Sequence, residues 1–596
     1  MPQSQSFATL LITARTSISF ATIGAGRLPT LQGSNRDTDR AAAFAFSSVS
    51  IDIMAMVESL ASVSPDSSMA HSATDKRSSS FTHYGTLLTL VILLAAIFRL
   101  HALTAKSFWL DEGISVSMAR LPWPQFLHQM WSGEANMSLY YLLLRFWLTM
   151  GNSEGFIRSL SVLFSVATVP LIFFLGARLF SRSAGLLAAI LFASNAYDIR
   201  FAQEARSYTM VVFFAVLATW FLARNLQDPS SAHWGIYAAV CALLTYSHFY
   251  GALLLPAHAI SLLSWRRDEI PWRRFAGSLL MFSVMILPIE IFLFAIFVLK
   301  TGAPPTLWFP PLEPDSLLRL GFDLAGAYRL KLLYLDVLAV GIAAFGAYRE
   351  RRSSDYTNSA WGYTLLFSWL VAPVVIVVAV SLVKPIFVPR FLIFCLPAFL
   401  LLVAVGISQL QPALLAFGLF VAISVFSILG AFSYYRSDFD MIRQDWRAVT
   451  SYIFNHAQPG DNIFFCEAVG GVPFEYYSGQ RKSASLRPKT LYSDSVQSRS
   501  SQKPPDAKPA GLVDIPGTNL RIAPSVGGRV WLVLMFLDGS KQESDKADAV
   551  SKWFSEGRQQ VDAQDFTVLK VLLFDRAASG LPPDGNRIPV EWQKLD

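Results

Sequence analysis

The sequence predicts a polytopic all-α membrane protein that ends in a small α/β domain, and three observations lead there. Of its 596 residues, 53% are hydrophobic and only 15% are charged, where a soluble globular domain carries roughly 25% charged residues. Apolar segments of membrane-crossing length recur from residue 84 to about residue 433. Beyond residue 436 the apolar runs become short and are separated by polar stretches, the pattern of a domain bathed in water. A soluble enzyme, a disordered scaffold and a collagenous or repeat fibre are excluded. The net charge of +7 fits arginines in cytoplasmic loops and is no nucleic-acid signal. Cys241, Cys395 and Cys466 are too few and too scattered for a disulfide framework or a CxxC metal site.

The elements follow in order. Residues 1–83 are rich in Ser, Ala and Thr and hold no apolar run of about 20 residues, the length a crossing needs. They read as a disordered leader or a start placed too early, with Met54, Met56 and Met69 as later starts. Residues 84–435 form the membrane domain. Its first span is Tyr84–Leu103, followed by the wet segment Thr104–Met137. Ser138–Met150 is amphipathic and too short to cross, and so predicts a helix lying in the interface. Further spans lie near 157–177, 184–200, 207–223, 233–248, 250–265, 275–299, 330–347, 361–383, 391–407 and 412–433, for a total of about eleven.

Arginine placement orients them. Arg178 and Arg182, Arg224, Arg266 with Arg267, Arg273 and Arg274, and Arg349 with Arg351 and Arg352 fall in alternate short loops. The positive-inside rule therefore puts the N-terminus in the cytoplasm, and an odd count puts the C-terminal domain outside. That domain, residues 436–596, predicts strands at Asn462–Cys466, Arg529–Leu537 and Phe566–Phe574, and a helix at Ser544–Gly557. The Ser-, Lys- and Pro-rich stretch 482–509 predicts a flexible loop.

Ionisable residues at membrane depth are costly and so mark function by default. In this topology Asp111, Glu112 and Glu134 lie in the first outer loop. Gln203, Glu204 and Arg206 lie in the next outer turn, His248 in another, and Lys384 and Arg390 flank a fourth. Acids, a histidine and bases from four loops thus face one side, which suggests a cavity opening outward. Each also has a plainer reading: solvated loop charges for Asp111 and Glu112, a helix-capping pair for Glu204, an interface role for His248, snorkelling for Arg390. Glu290 and Asp336 lie inside spans and read as inter-helix hydrogen-bond partners.

The order and spacing of Phe108–Ser115 (FWLDEGIS), Glu134–Leu144 (EANMSLYYLLL), Gly151–Leu160 (GNSEGFIRSL), Ala202–Met210 (AQEARSYTM) and Thr245–Gly251 (TYSHFYG) resemble the GT-C integral membrane glycosyltransferases. The nearest likeness is to bacterial enzymes of the protein mannosyltransferase and lipid A aminoarabinose transferase type. Val388–Pro397 (VPRFLIFCLP) and Gln444–Tyr452 (QDWRAVTSY) look similar to the same family, so the resemblance covers about 84–480. It implies inverting transfer of a sugar from a polyprenyl-phosphate donor to a lipid, protein or polysaccharide acceptor, at the outer face of the cytoplasmic membrane. It implies Asp111 as base, with Glu112 beside it and Glu204 as the acid of the second turn. It also implies a divalent metal held by Glu134 and His248, although this chain has Ala135-Asn136-Met137-Ser138 where the family usually has Pro-Pro.

The chemistry suits these residue types. Displacing phosphate from an anomeric carbon passes through an oxocarbenium-like state, and a carboxylate beside the acceptor hydroxyl takes its proton. Arg206, Lys384 and Arg390 are the cations available for the departing phosphate. No nucleotide-binding glycine loop occurs, as a lipid-linked donor requires none. Two other classes stay open: a transporter or flippase for a lipid-linked glycan, and a non-catalytic anchor for the outer domain. Against the transporter, there is no inverted repeat and no pair of Gly/Pro-broken helices.

Overall fold

The computed structural model describes residues 74–576 apart from 133–134, 266–269, 298–310, 327–329, 353–357, 438–443, 482–485, 492–512, 516–520, 523–527 and 537–540. The helices of the first half are α1 (Thr74–Leu100), α2 (Leu110–Arg120), α3 (Trp123–Ser132), α4 (Ser138–Trp147), α5 (Glu154–Leu179), α6 (Arg182–Ser194), α7 (Ala196–Ala202), α8 (Tyr208–Gln227), α9 (Trp234–Ser247) and α10 (Leu254–Leu262). After them come α11 (Trp272–Phe297), α12 (Ser316–Ala325), α13 (Leu330–Arg352), α14 (Asn358–Ser381), α15 (Leu396–Ser408), α16 (Ala413–Arg436) and α17 (Trp446–His456). Short 3-10 turns, Phe249–Leu253 and Pro389–Cys395, lead into α10 and α15.

Among the described residues, eight helices are long and apolar enough to cross a membrane. The shorter apolar segments Arg182–Ser194, Trp234–Ser247 and Phe249–Leu262 occupy the other expected spans. The chain is a multi-pass membrane protein. Its first helix begins at Thr74 rather than Tyr84, because backbone hydrogen bonding carries the helix into polar residues that a hydropathy window cannot see. The rest of the expected leader lies outside the described residues.

The span expected at 184–200 is two helices broken at Asn195. Asn195 Oδ1 accepts from the amides of Tyr197 (3.0 Å) and Asp198 (3.2 Å), and Nδ2 donates to Leu324 O (3.0 Å). It thus starts α7 with the bonds that an N-cap supplies. Beneath the break, Arg99 and Asp198 form a fully buried ion pair at 2.7 Å, and Arg99 also donates to the α6 carbonyls of Phe192 and Ala193. Those carbonyls lie in the last turn of α6, so a cation there meets the negative end of the helix dipole.

Helices α5 and α6 touch through glycine. A Cβ at Gly185 would stand 2.3 Å from Phe173 O, and one at Gly176 would stand 2.6 Å from the Cα of Gly185. Membrane helices associate through such small-residue contacts, since lipid gives them no hydrophobic drive. Gly185→Val is expected to lower stability by about 1–3 kcal/mol through overpacking. Gly277→Ala, where a Cβ meets open space, is the matched control, and thermal unfolding in detergent compares the two.

The C-terminal region holds strands β1 (Asn462–Phe465), β2 (Lys489–Leu491), β3 (Val513–Asp514), β4 (Arg521–Ile522), β5 (Val530–Met535), β6 (Arg558–Phe566) and β7 (Leu569–Arg576), with helices α18 (Gly471–Ser478) and α19 (Lys541–Ser555). Its main sheet has the order β2-β1-β5-β7-β6, with β2, β1 and β5 parallel and β5-β7-β6 antiparallel. Strand β5 is buried along its length, as a continuous apolar run in a covered sheet requires. Val530, Leu532 and Leu534 share a core with Val550 and Phe554 of α19. Trp531, Val533 and Met535 join the core that runs on into the membrane domain.

Two expectations are corrected. Strand β2 lies within the stretch read as flexible loop 482–509, because parallel pairing with β1 orders a segment whose composition alone suggests none. Strand β6 was not expected at all. Its sequence, RQQVDAQDF, is mostly exposed, and hairpin pairing to β7 makes it a strand.

Candidate active site

Asp111 occupies the first turn of α2. Its Oδ2 lies 3.5 Å from Nη2 of Arg206 and 4.0 Å from Nη2 of Arg390, and the side chain keeps 20% exposure. Arg206 comes from the turn between α7 and α8. Its Nη1 also lies 3.5 Å from Asp111 O, 3.4 Å from Ser115 Oγ and 3.4 Å from Tyr141 OH. Tyr141 comes from the interfacial helix α4, which turns Tyr140, Tyr141 and Leu144 inward. Arg390 comes from the turn Pro389–Cys395, its guanidinium 5.8 Å from the Trp109 ring and 5.7 Å from that of Phe391. Two guanidiniums thus share one carboxylate, and paired guanidiniums are the chemistry that binds an anion with several oxygens.

His248 caps the end of α9 and lies against this cluster, its ring 4.6 Å from that of Phe391. The Tyr250 amide donates to Nδ1 (3.2 Å), and Nε2 lies 3.3 Å from Nδ2 of Asn136, whose Oδ1 accepts from Phe249 N (3.0 Å). Asn136 stands in the turn Ala135-Asn136-Met137-Ser138, and it is the residue that meets His248.

The other expected site residues fall elsewhere. Glu112 is fully buried. Arg158 grips it with two prongs, Nε to Oε1 at 2.8 Å and Nη2 to Oε2 at 2.7 Å, and the Ala205 amide donates to Oε1 at 2.9 Å. This is a tie between α2, α5 and the Arg206 turn, not a carboxylate open to a substrate. Glu204 is buried, with Oε1 3.6 Å from Nε of Arg200. Lys384 is exposed, past the end of α14. Glu134 lies outside the described residues. No group of three His, Cys, Asp or Glu side chains that could hold a metal occurs among the described residues. One imidazole whose Nε2 already faces an amide does not fit a divalent cation alone.

Sequence reasoning passed over Arg158, Asn136 and Tyr141. Arg158 carried a usable signal, since an arginine within the span 157–177 demands an acidic partner. Asn136 and Tyr141 carried none.

The sequence model of the dolichyl-phosphate-mannose-protein mannosyltransferase family matches residues 137–289. No curated protein matches the chain. Among solved structures, ArnT from Cupriavidus metallidurans in the apo state aligns with a TM-score of 0.54 at 13% identity, over 83% of this chain and 98% of that one. The same protein bound to undecaprenyl phosphate aligns with a TM-score of 0.51 at 12% identity, over 83% of this chain and 99% of that one. The fold is that of the GT-C membrane glycosyltransferases, in the form that ArnT takes.

Proposed function

We propose, from the ArnT-like GT-C fold, that this chain is a membrane glycosyltransferase that moves a sugar from a polyprenyl-phosphate donor to an acceptor at the outer face of the cytoplasmic membrane, with inversion. The observation that carries the reading is the Asp111 carboxylate held between Arg206 and Arg390, where three separate turns meet. An ArnT structure bound to undecaprenyl phosphate supports a donor of that class. The N-terminal side is then cytoplasmic and the C-terminal α/β region external.

In this mechanism Arg206 and Arg390 take the donor phosphate and stabilise the charge it gathers as the anomeric bond breaks. Their shift onto phosphate releases Asp111, which accepts the proton of the acceptor hydroxyl as the new bond forms on the opposite face. Glu112 and Glu204 hold the Arg206 turn in place. Exposed Lys384 draws the anionic headgroup toward the membrane surface. No step runs through a metal.

Binding of undecaprenyl phosphate to the purified protein in detergent tests the phosphate site. Arg206→Ala and Arg390→Ala are each expected to weaken it about 10- to 100-fold, the range of a charge-assisted hydrogen bond. Equal affinity in all three proteins would sink the assignment. Sugar transfer from a panel of polyprenyl-phosphate sugars to an envelope extract, with and without chelator, tests the activity and any need for a metal at Glu134 and His248.

A further inference from the structure

Helix α2 supplies only one capping acceptor of its own, Glu112 Oε2, which takes the Trp109 amide at 3.4 Å. Its N-cap residue is Trp109, which makes no side-chain cap hydrogen bond, where Ser, Thr, Asp or Asn would ordinarily accept from the first amides. The acceptors for the amides on either side of Trp109 come from the C-terminal region, more than 300 residues away. Gln444 Oε1 accepts from Leu110 N (3.2 Å), and Gln444 O accepts from Ser107 Oγ (2.9 Å). Tyr477 OH accepts from Phe108 N (2.6 Å).

Packing reinforces these bonds. A Cβ on Gly113 of α2 would stand 3.2 Å from Pro473 of α18, and the Phe108 ring lies 4.7 Å from that of Tyr476. Gln444 and Tyr477 are buried. Asp111 follows directly on these clamped amides, so the position of its carboxylate relative to Arg206 and Arg390 is set in part from the outer region.

We infer that the C-terminal α/β region serves the reaction as the clamp that places Asp111, with Gln444 and Tyr477 as positioning residues; this rests on the reading of Asp111 as the base. The region is then part of the transfer machinery as well as a surface presented outside. Misplacing a reacting group by a fraction of an ångström costs turnover while leaving ground-state binding of the donor intact.

The test uses the full chain in detergent and compares wild type, Tyr477→Phe, Gln444→Leu and the double variant. Hydrogen exchange over residues 105–113 reads the clamp, and kcat and KM for the polyprenyl-phosphate donor read its consequence. Tyr477→Phe keeps the ring and loses the hydroxyl, which is the acceptor for Phe108 N and also neighbours Arg447. It is expected to speed exchange of that segment at least about tenfold and to lower kcat about tenfold with donor KM within about twofold. The double variant falls further in kcat with KM still unchanged. Exchange that speeds up while kcat stays at the wild-type level overturns the inference, as does exchange that does not change. A rise in KM with kcat intact overturns it as well, since the residues would then act on donor binding. Wild type that transfers sugar from no donor in the panel overturns the reading of Asp111, and the inference with it; active wild type beside fully active Tyr477→Phe overturns the inference alone.

Discussion

Asp111→Asn is expected to cut sugar transfer by about 10²- to 10⁴-fold, the range that a positioned general base supplies, and at the same time to bind undecaprenyl phosphate more tightly. The two effects have one cause. The carboxylate is the counter-ion of Arg206 and Arg390, at 3.5 and 4.0 Å, so a phosphate binding to the two guanidiniums must displace it. A unit charge at about 4 Å is worth roughly 4 kcal/mol at an effective dielectric of about 20. With 20% of the side chain exposed, solvent screening and the freedom of the carboxylate to swing away leave about 1 kcal/mol of that, or about fivefold in Kd. Asparagine keeps the volume and loses both the charge and the basicity. Loss of turnover with tighter binding separates this protein from a transporter, which would go on moving its substrate, and from an anchor, which would show neither change. Weaker phosphate binding in Asp111→Asn would refute the counter-ion role, and full transfer would refute the base.

How much of this could be seen in the sequence depends on the range of the interaction. The spans were legible because each apolar run is contiguous and its length is fixed by the bilayer. The meeting of Asp111, Arg206, His248 and Arg390 was legible because topology alone puts their loops on one side. Glu112 was misjudged because it adjoins Asp111 in sequence. Successive helix residues point about 100° apart, and here one carboxylate faces the arginine pair while the next points into the protein at Arg158. Clamping of α2 by Gln444 and Tyr477 leaves no local signal, since its partners lie hundreds of residues apart. The pair Arg99–Asp198 carried half a signal: an aspartate inside the span 184–200 needs a partner, but nothing in the chain says which cation it finds.

Arg158→Met is the other substitution with a large expected effect, on stability before activity. It strips Glu112 of both short hydrogen bonds and leaves a fully buried carboxylate with the amides of Ala205 and Trp109 as its hydrogen-bond donors among the described residues. It also takes one donor from each of the carbonyls of Leu103, Lys106 and Ser107, to which Arg158 donates at 2.8, 2.8 and 3.2 Å, and leaves Lys106 O with Arg447 at 3.4 Å. Removing one partner of a buried ion pair costs about 3–5 kcal/mol, whereas replacing both by apolar groups of similar size is often close to neutral. Arg158→Met with Glu112→Leu should therefore recover a substantial part of the loss, though not all, since the carbonyls of Leu103 and Ser107 still lack the donor that Arg158 gave them. A cycle of the two single variants and the double, followed by unfolding in detergent, isolates the coupling between them. Coupling below about 1 kcal/mol would mean that the pair is no more than a surface-type contact. Activity gives a second reading of the same cycle. The double variant regains its fold without the bond from Ala205 N to Glu112 that ties the Arg206 turn to α2, so transfer should stay low even where stability returns. Recovery of both together would show that Glu112 contributes to the fold alone.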